Sequence, residues 1–220
     1  MAADPSPSVT PIRRRTAGQL VADEIRRRIW TGDLESGERL NQEDLAAALG
    51  VSRLPVREAL LMLEREGVVQ MAPHKGAFVE RIDEPAVRDH YELFGHLDGF
   101  ALRLAIERLS PTDRTTLAAA MNGCAGIDDP DRMQQQVQEV RAIIHEAGGS
   151  PRFRAVARGL APIVAGNFFR EVPGALAVSR SEMPRVGAAV AEGDADGAVV
   201  AYAAMMRAHS DLVVAILRSR

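Results

Sequence analysis

Apolar residues recur along this chain at more than one spacing, and the changes between spacings divide it. Val21, Ile25 and Ile29 repeat along one helical face, and Gly32 stands where that helix ends. Asn41 is placed to cap a second helix from Gln42 to about Leu49, with Asp44 three residues on and Leu45 and Leu49 turned inward. Gly50 permits a sharp turn. Ser52 is placed to cap a third helix, whose first turn holds Pro55 where a missing N–H does no harm. Val56, Ala59, Leu60 and Leu63 then follow the i, i+3, i+4, i+7 pattern of a buried stripe. Gly67 closes this helix, and Val68 to Met71 and Ala77 to Arg81 read as two short strands around a Pro73-His74-Lys75-Gly76 turn.

From Asp83 onward the texture becomes that of alanine-rich helices. Asp83 and Pro85 open a long one with a stripe of Val87, His90, Phe94, Leu97, Ala101 and Leu104. Ser110-Pro111 starts another, and Asp128-Asp129-Pro130 precedes a third that ends at Gly148-Gly149. Helices near 152–169, 182–192 and 196–217 complete the set, with breaks at Pro173-Gly174 and Gly193-Asp194. The predicted fold is mainly α: a winged helix-turn-helix of three helices plus a β-hairpin wing over 15–82, then an all-α antiparallel bundle over 83–220. Residues 1–14, with Pro5, Pro7 and Pro11, read as a disordered lead-in. No internal repeat stands out.

Composition changes this picture little, at 46% hydrophobic and 26% charged residues. No run of about 18 apolar residues marks a membrane span, and no signal peptide opens the chain, which places it in the cytoplasm. The single cysteine, Cys124, excludes an internal disulfide and reads as a small, buried, inert thiol. A net charge of −3 runs against a DNA binder, whose phosphate contacts need positive charge, so any DNA surface must come from local placement. Arg53 and Arg57 stand one above the other near the N-terminal end of the third helix, off its buried stripe. That end enters the major groove in helix-turn-helix proteins, and the hairpin tip presents His74 and Lys75 to the minor groove or backbone. Arg13, Arg14 and Arg15 are placed to touch phosphates. Taken alone, Arg53 and Arg57 also read as solvated helix charges; the cap, turn glycine, stripe and basic hairpin tip together favour DNA. His145-Glu146 resembles half of a metalloprotease motif, but Gly149 occupies the second histidine's place, and no other catalytic fingerprint is present. The chain does not read as an enzyme.

The segment LNQEDLAAALGVSRLPVREALLMLEREGVVQMAPHKGAFV resembles the signature of the GntR family of bacterial regulators, with GVSRLPVREAL, LEREGVV and the glycine-bearing wing as its specific parts. Residues after Asp83 are similar to the all-helical FCD effector domain of the FadR-like branch, so the resemblance covers about 15–218. It implies a homodimer that reads a short palindrome in double-stranded operator DNA. Position by position, it implies DNA contacts from Ser52, Arg53, Arg57, His74, Lys75 and Gly76. Glu43 stands where some FadR-like members place an arginine on DNA, and its charge opposes that contact.

Many FCD members hold a divalent metal with one aspartate and three histidines, and this chain keeps only part of the set. His145 matches the first histidine, but Arg141 replaces the aspartate four residues before it; Met183 stands for the second histidine, and His209 matches the last. Two imidazoles, a cation and a thioether suit such an ion poorly, so no bound metal is expected. Phe94 replaces an arginine frequent elsewhere in the family. These departures imply a remodelled effector pocket of Phe94, Arg141, His145, Met183 and His209, in which the guanidinium takes over the metal's positive charge and suits a carboxylate effector. The alternative is that Arg141 pairs with a nearby glutamate and that His145 and His209 are hydrogen-bonded core residues. The expected function is a DNA-binding transcription regulator, a repressor controlled by a small metabolite; the alternative is a regulator or architectural protein with a vestigial bundle.

Overall fold

A computed structural model describes residues 16–160 and 163–219. The expected lead-in at 1–14 and the phosphate contacts of Arg13, Arg14 and Arg15 lie outside the described residues.

Helix α1 (Ala17–Thr31) opens on a capping box: the Thr16 hydroxyl accepts from the Gln19 N–H while the Gln19 side chain accepts from Thr16 N–H. Gly32, at φ +84°, ends it. Asn41 caps α2 (Gln42–Leu49) by accepting from the Glu43 N–H at 2.9 Å, with no capping-box role for Asp44. Gly50 then turns the chain at φ +64° into α3 (Arg53–Arg65). Ser52 holds the N-cap backbone position there, but its hydroxyl makes no capping bond. The wing strands are β2 (Val69–Ala72) and β3 (Gly76–Val79), the second shorter than expected. A further strand, β1 (Arg39–Leu40), completes an antiparallel sheet of order β1-β3-β2, pairing Arg39 with Phe78 and Leu40 with Ala77. Two residues are too few to display alternation, which is why the pattern missed it. Val21 and Ile25 of α1, Leu45 of α2, Val56, Leu60 and Leu63 of α3, and Val69 and Val79 of the wing close one core.

A second core fills the bundle of α4 (Glu84–Arg108), α5 (Pro111–Gly123), α6 (Pro130–Gly148), α7 (Pro151–Gly159), α8 (Phe168–Glu171), α9 (Ala175–Glu192) and α10 (Ala195–Arg218). Three expectations change. The helix expected over 152–169 is two, α7 ending at Gly159 and α8 beginning at Phe168 behind its Asn167 cap. Helix α9 begins at Ala175 rather than near 182, so Pro184 lies in its interior. On α4 the buried face is rotated: Val87, Tyr91, Gly95, Asp98 and Leu102 are buried, whereas His90, Phe94, Leu97 and Leu104 are only partly covered. The expected stripe left out four of these five, and two of the four, a glycine and an aspartate, are members that a count of apolar residues cannot register.

Helix α10 has a mean hydropathy of 1.4 over 18 residues, enough by composition for a membrane span. Its apolar positions Tyr202, Met205, Val213 and Val214 instead form part of the bundle core against α4 and α9. Cys124 is buried in that core, and burial raises its thiol to about 11. Gly148 sets the approach of α6 to α4, since a Cβ there would lie 1.8 Å from the Ala101 carbonyl oxygen. Trp30 of α1 is buried in the bundle core rather than in that of its own domain, and Ile82 packs against both cores.

Candidate functional site

Two sites emerge, one in each domain. In the first, Val56, Ala59, Leu60 and Leu63 turn inward, which leaves Arg53, Leu54 and Arg57 in solvent on the first turns of α3. Arg53 Nη1 lies 2.9 Å from Glu43 Oε1 on α2, with the two side chains 70% and 64% exposed. An ion pair in that much water contributes about 0–1 kcal/mol, so it yields readily to another anion. The wing tip holds His74 and Lys75 exposed, with His74 in the left-handed region at φ 62° and the Lys75 N–H donating to the Ala72 carbonyl at 3.1 Å. Gly76 follows at φ +103°, a conformation that favours glycine, and a Cβ there would lie 3.4 Å from Arg39 Nε. Arg39, Glu43, Arg53 and Gly76 line one groove between β1, the wing and α3. Ser52, Arg57, His74 and Lys75 lie outside that lining. Arg39 and Leu54, the latter 64% exposed, were not among the residues singled out from sequence. The signal for Arg39 is its neighbour Leu40, which anchors β1 in the core beside the wing.

The second site is built around Asp98. Its side chain is 2% exposed and accepts from three groups: Arg141 Nε at 2.8 Å, His145 Nε2 at 2.7 Å and the Tyr202 hydroxyl at 2.6 Å. Burial pushes this carboxyl up, but the His145 bond, the Arg141 charge and bond and the Tyr202 bond together hold it below the usual carboxylate value. Arg141 also lies over the Phe94 ring, 4.3 Å from its centre. Arg141 therefore has a carboxylate partner, an aspartate rather than the glutamate considered from sequence.

Phe94, Arg141, Met183 and His209 line a single cavity of about 110 Å³, whereas His145 stands behind Asp98 with its ring against Phe153, outside the lining. The cavity also takes in Gln134, Phe168 and Tyr202. His209 is buried, with Nε2 3.2 Å from the Ser179 hydroxyl and the Ala175 backbone accepting from the ring. Burial lowers it to about 4, and it lowers His90 on the same wall to about 4. Glu146, the other half of the apparent protease motif, is exposed and lies 3.4 Å from Arg154.

These residues do not fit the divalent ion of the FCD pattern. His145 Nε2 is engaged by Asp98, His209 Nε2 by Ser179, a guanidinium stands between α4 and α6, and Met183 offers only a thioether. Among the described residues no three His, Cys, Asp or Glu side chains gather as a metal site.

Residues 17–79 match the gntR family of bacterial regulatory proteins, and residues 89–212 match the FCD domain. An uncharacterised HTH-type transcriptional regulator of Mycobacterium tuberculosis is 35% identical over 130 residues, 59% of this chain and 53% of the relative. The gluconate operon transcriptional repressor of Bacillus licheniformis is 38% identical over 82 residues, 37% of this chain and 33% of the relative. The chain thus spans about half or less of the length of these curated relatives. The crystal structure of a GntR-family transcriptional regulator from Pseudomonas syringae pv. tomato has a TM-score of 0.53 and 26% identity, covering 92% of this chain and 86% of that one. These relatives and fold neighbours are transcription regulators, not enzymes. With matches in both domains, one of them spanning more than half its length, the chain belongs to the GntR family of bacterial regulatory proteins and carries an FCD domain behind its winged helix-turn-helix.

Proposed function

We propose that the protein is a cytoplasmic transcription repressor that binds a palindromic operator as a homodimer and releases it when a small molecule fills the bundle cavity. The observation that carries the DNA reading is the groove uniting Arg39, Arg53 and Gly76 beside an exposed, basic wing tip. Arg53 and Arg57 reach base edges in the major groove, where each good bidentate contact is worth about 1–3 kcal/mol. His74, Lys75 and Gly76 lie along the minor groove or backbone, and Ser52, whose hydroxyl makes no capping bond, is available to a phosphate. Arg39 joins these contacts from the edge of the sheet.

The family match and the name of the Bacillus relative support repression. Leu93, Phe100 and Val200 leave large apolar side chains in solvent on the bundle, which supports its pairing with a second copy. The cavity supports a responsive bundle over a vestigial one. The donor chemistry around Arg141 and Met183 supports control without a metal. An effector acts only through a difference in affinity between the DNA-competent and released arrangements of the two heads.

The test is anisotropy titration of duplexes that the protein itself selects from a randomised pool. Wild type is expected to favour a palindromic site over scrambled duplex, and Arg53→Ala to lose that preference while keeping its helical circular dichroism. Unchanged affinity and selectivity in Arg53→Ala would overturn the assignment of α3.

A further inference from the structure

Arg53 and Arg57 account for the charge on the first turns of α3, but not for the leucine between them. Leu54 is 64% exposed and packs into neither core; among the described residues of the head it is the most exposed large apolar side chain, ahead of Leu20 and Leu61. At about 100° per residue, the buried stripe of Val56, Ala59, Leu60 and Leu63 centres on the side of α3 opposite Leu54. Leu54 thus points most directly away from the head, at the end of the helix that enters the groove. Arg57 lies about 60° round the helix on one side of it. On its other side Glu58 turns back to α1, its carboxylate oxygen 2.9 Å from where a Cβ on Gly18 would stand. The face around Leu54 therefore carries cations and an apolar side chain.

We infer that Leu54 is a specificity-determining residue that reads thymine: in the bound dimer it closes on the C5-methyl group of one thymine in the major groove of each half-site. This rests on the DNA reading of α3 above and assigns one base feature within it. Of the base edges in the major groove, thymine alone offers a methyl group. Over that methyl, two apolar groups leave water together. Over the acceptors of guanine, or the amino group of adenine or cytosine, the same leucine strips water from a polar atom and gives no hydrogen bond in exchange. Leucine cannot serve a phosphate either, since phosphate oxygens take donors. The neighbours do the positioning. Arg53 and Arg57 bring the charge that draws this turn into the groove, and Pro55 fixes the φ of the residue after Leu54.

The C5-methyl can be deleted without touching the protein, by replacing thymidine with deoxyuridine. The replacement is made at each thymine in turn, in both half-sites at once, of the duplex that wild type selects from a randomised pool. In anisotropy titrations of the full chain, one replacement is expected to weaken wild type about fourfold per half-site, as the loss of one buried methyl provides. Leu54→Ala, which alters an exposed side chain and should keep the wild-type circular dichroism, is expected to bind the thymine and uracil duplexes within a factor of two of each other. Selection repeated with Leu54→Ala is expected to relax the choice of base at that position alone. A wild type indifferent to every deoxyuridine, or a selected half-site without thymine, overturns the role of Leu54 while leaving the DNA reading in place. So does a replacement that weakens Leu54→Ala as much as wild type, since another group then reads the methyl. If wild type selects no site from the pool, the DNA reading falls together with the inference.

Discussion

Arg53 and Arg141 are the same side chain in opposite settings. Arg53 stands in water on the head, 70% exposed, against a glutamate that is itself 64% exposed. Arg141 lies in the bundle, 26% exposed, against an aspartate at 2%. The first pair is loose and exchangeable, which a DNA phosphate or guanine requires of its partner. The second is locked by three hydrogen-bond donors on one carboxylate, and its charge serves the fold. Exposure, more than residue type or charge, decides whether an arginine is available to a ligand.

The largest effect that tests this contrast is on stability. Arg141→Ala leaves Asp98 buried without its cation and is expected to destabilise the protein by about 3–5 kcal/mol in urea titrations, whereas Arg53→Ala should change stability by no more than about 0.5 kcal/mol. Similar small values for both would erase the distinction.

Binding should rank the two arginines the other way. Arg53→Ala is expected to weaken specific DNA binding by about 1–3 kcal/mol, read by anisotropy on the selected duplex. A stably folded Arg141 variant should hold the same duplex within a factor of two or three of wild type when no effector is present.

Acid should act on the bundle. His209 titrates near 6.5 unfolded and about 4 folded, so between those values the unfolded chain binds more protons and stability falls as pH drops. From pH 7 to pH 5 the expected loss from His209 alone is about 2 kcal/mol. Asp98, whose folded value is also depressed, contributes stability that is present above its unfolded value of 3.8 and is lost only at still lower pH. Urea midpoints measured at pH 7, 6 and 5 should slope downward, and more shallowly in His209→Gln; parallel slopes would remove His209 as the cause.

The smallest expected effect lies back on the head. Glu43→Gln frees Arg53 from its neighbour and should tighten DNA binding by less than about 1 kcal/mol, with a weaker change at high salt. A loss of affinity would instead make Glu43 a positioning residue for Arg53.

The head was legible in sequence because its signals are local. A capping Asn41, a left-handed Gly50, the stripe from Val56 to Leu63 and a hairpin turn lie within about 40 residues of one another, and each acts on its own neighbours. Only β1, two residues long, left no trace. The bundle site was half legible for the opposite reason. Phe94, Arg141, Met183 and His209 were named from their family positions and share the cavity, but Asp98 was passed over as a polar residue on α4. Its partners lie 43, 47 and 104 residues away, beyond the reach of any periodicity. The recoverable hint was register: Asp98 continues the face of Tyr91, Gly95 and Leu102, where a carboxylate has to find a donor from another helix.

The position of Trp30 gives the molecule a property of a different kind. It is the chain's one tryptophan, carried by a helix of the head and enclosed by the core of the bundle. Any rotation of head against bundle changes the surroundings of this indole, so the wavelength and intensity of its emission report the joint between the domains without an added dye. Effector and DNA titrations can therefore be followed on the unlabelled protein, with the optical signal arising at the seam through which the two sites would communicate.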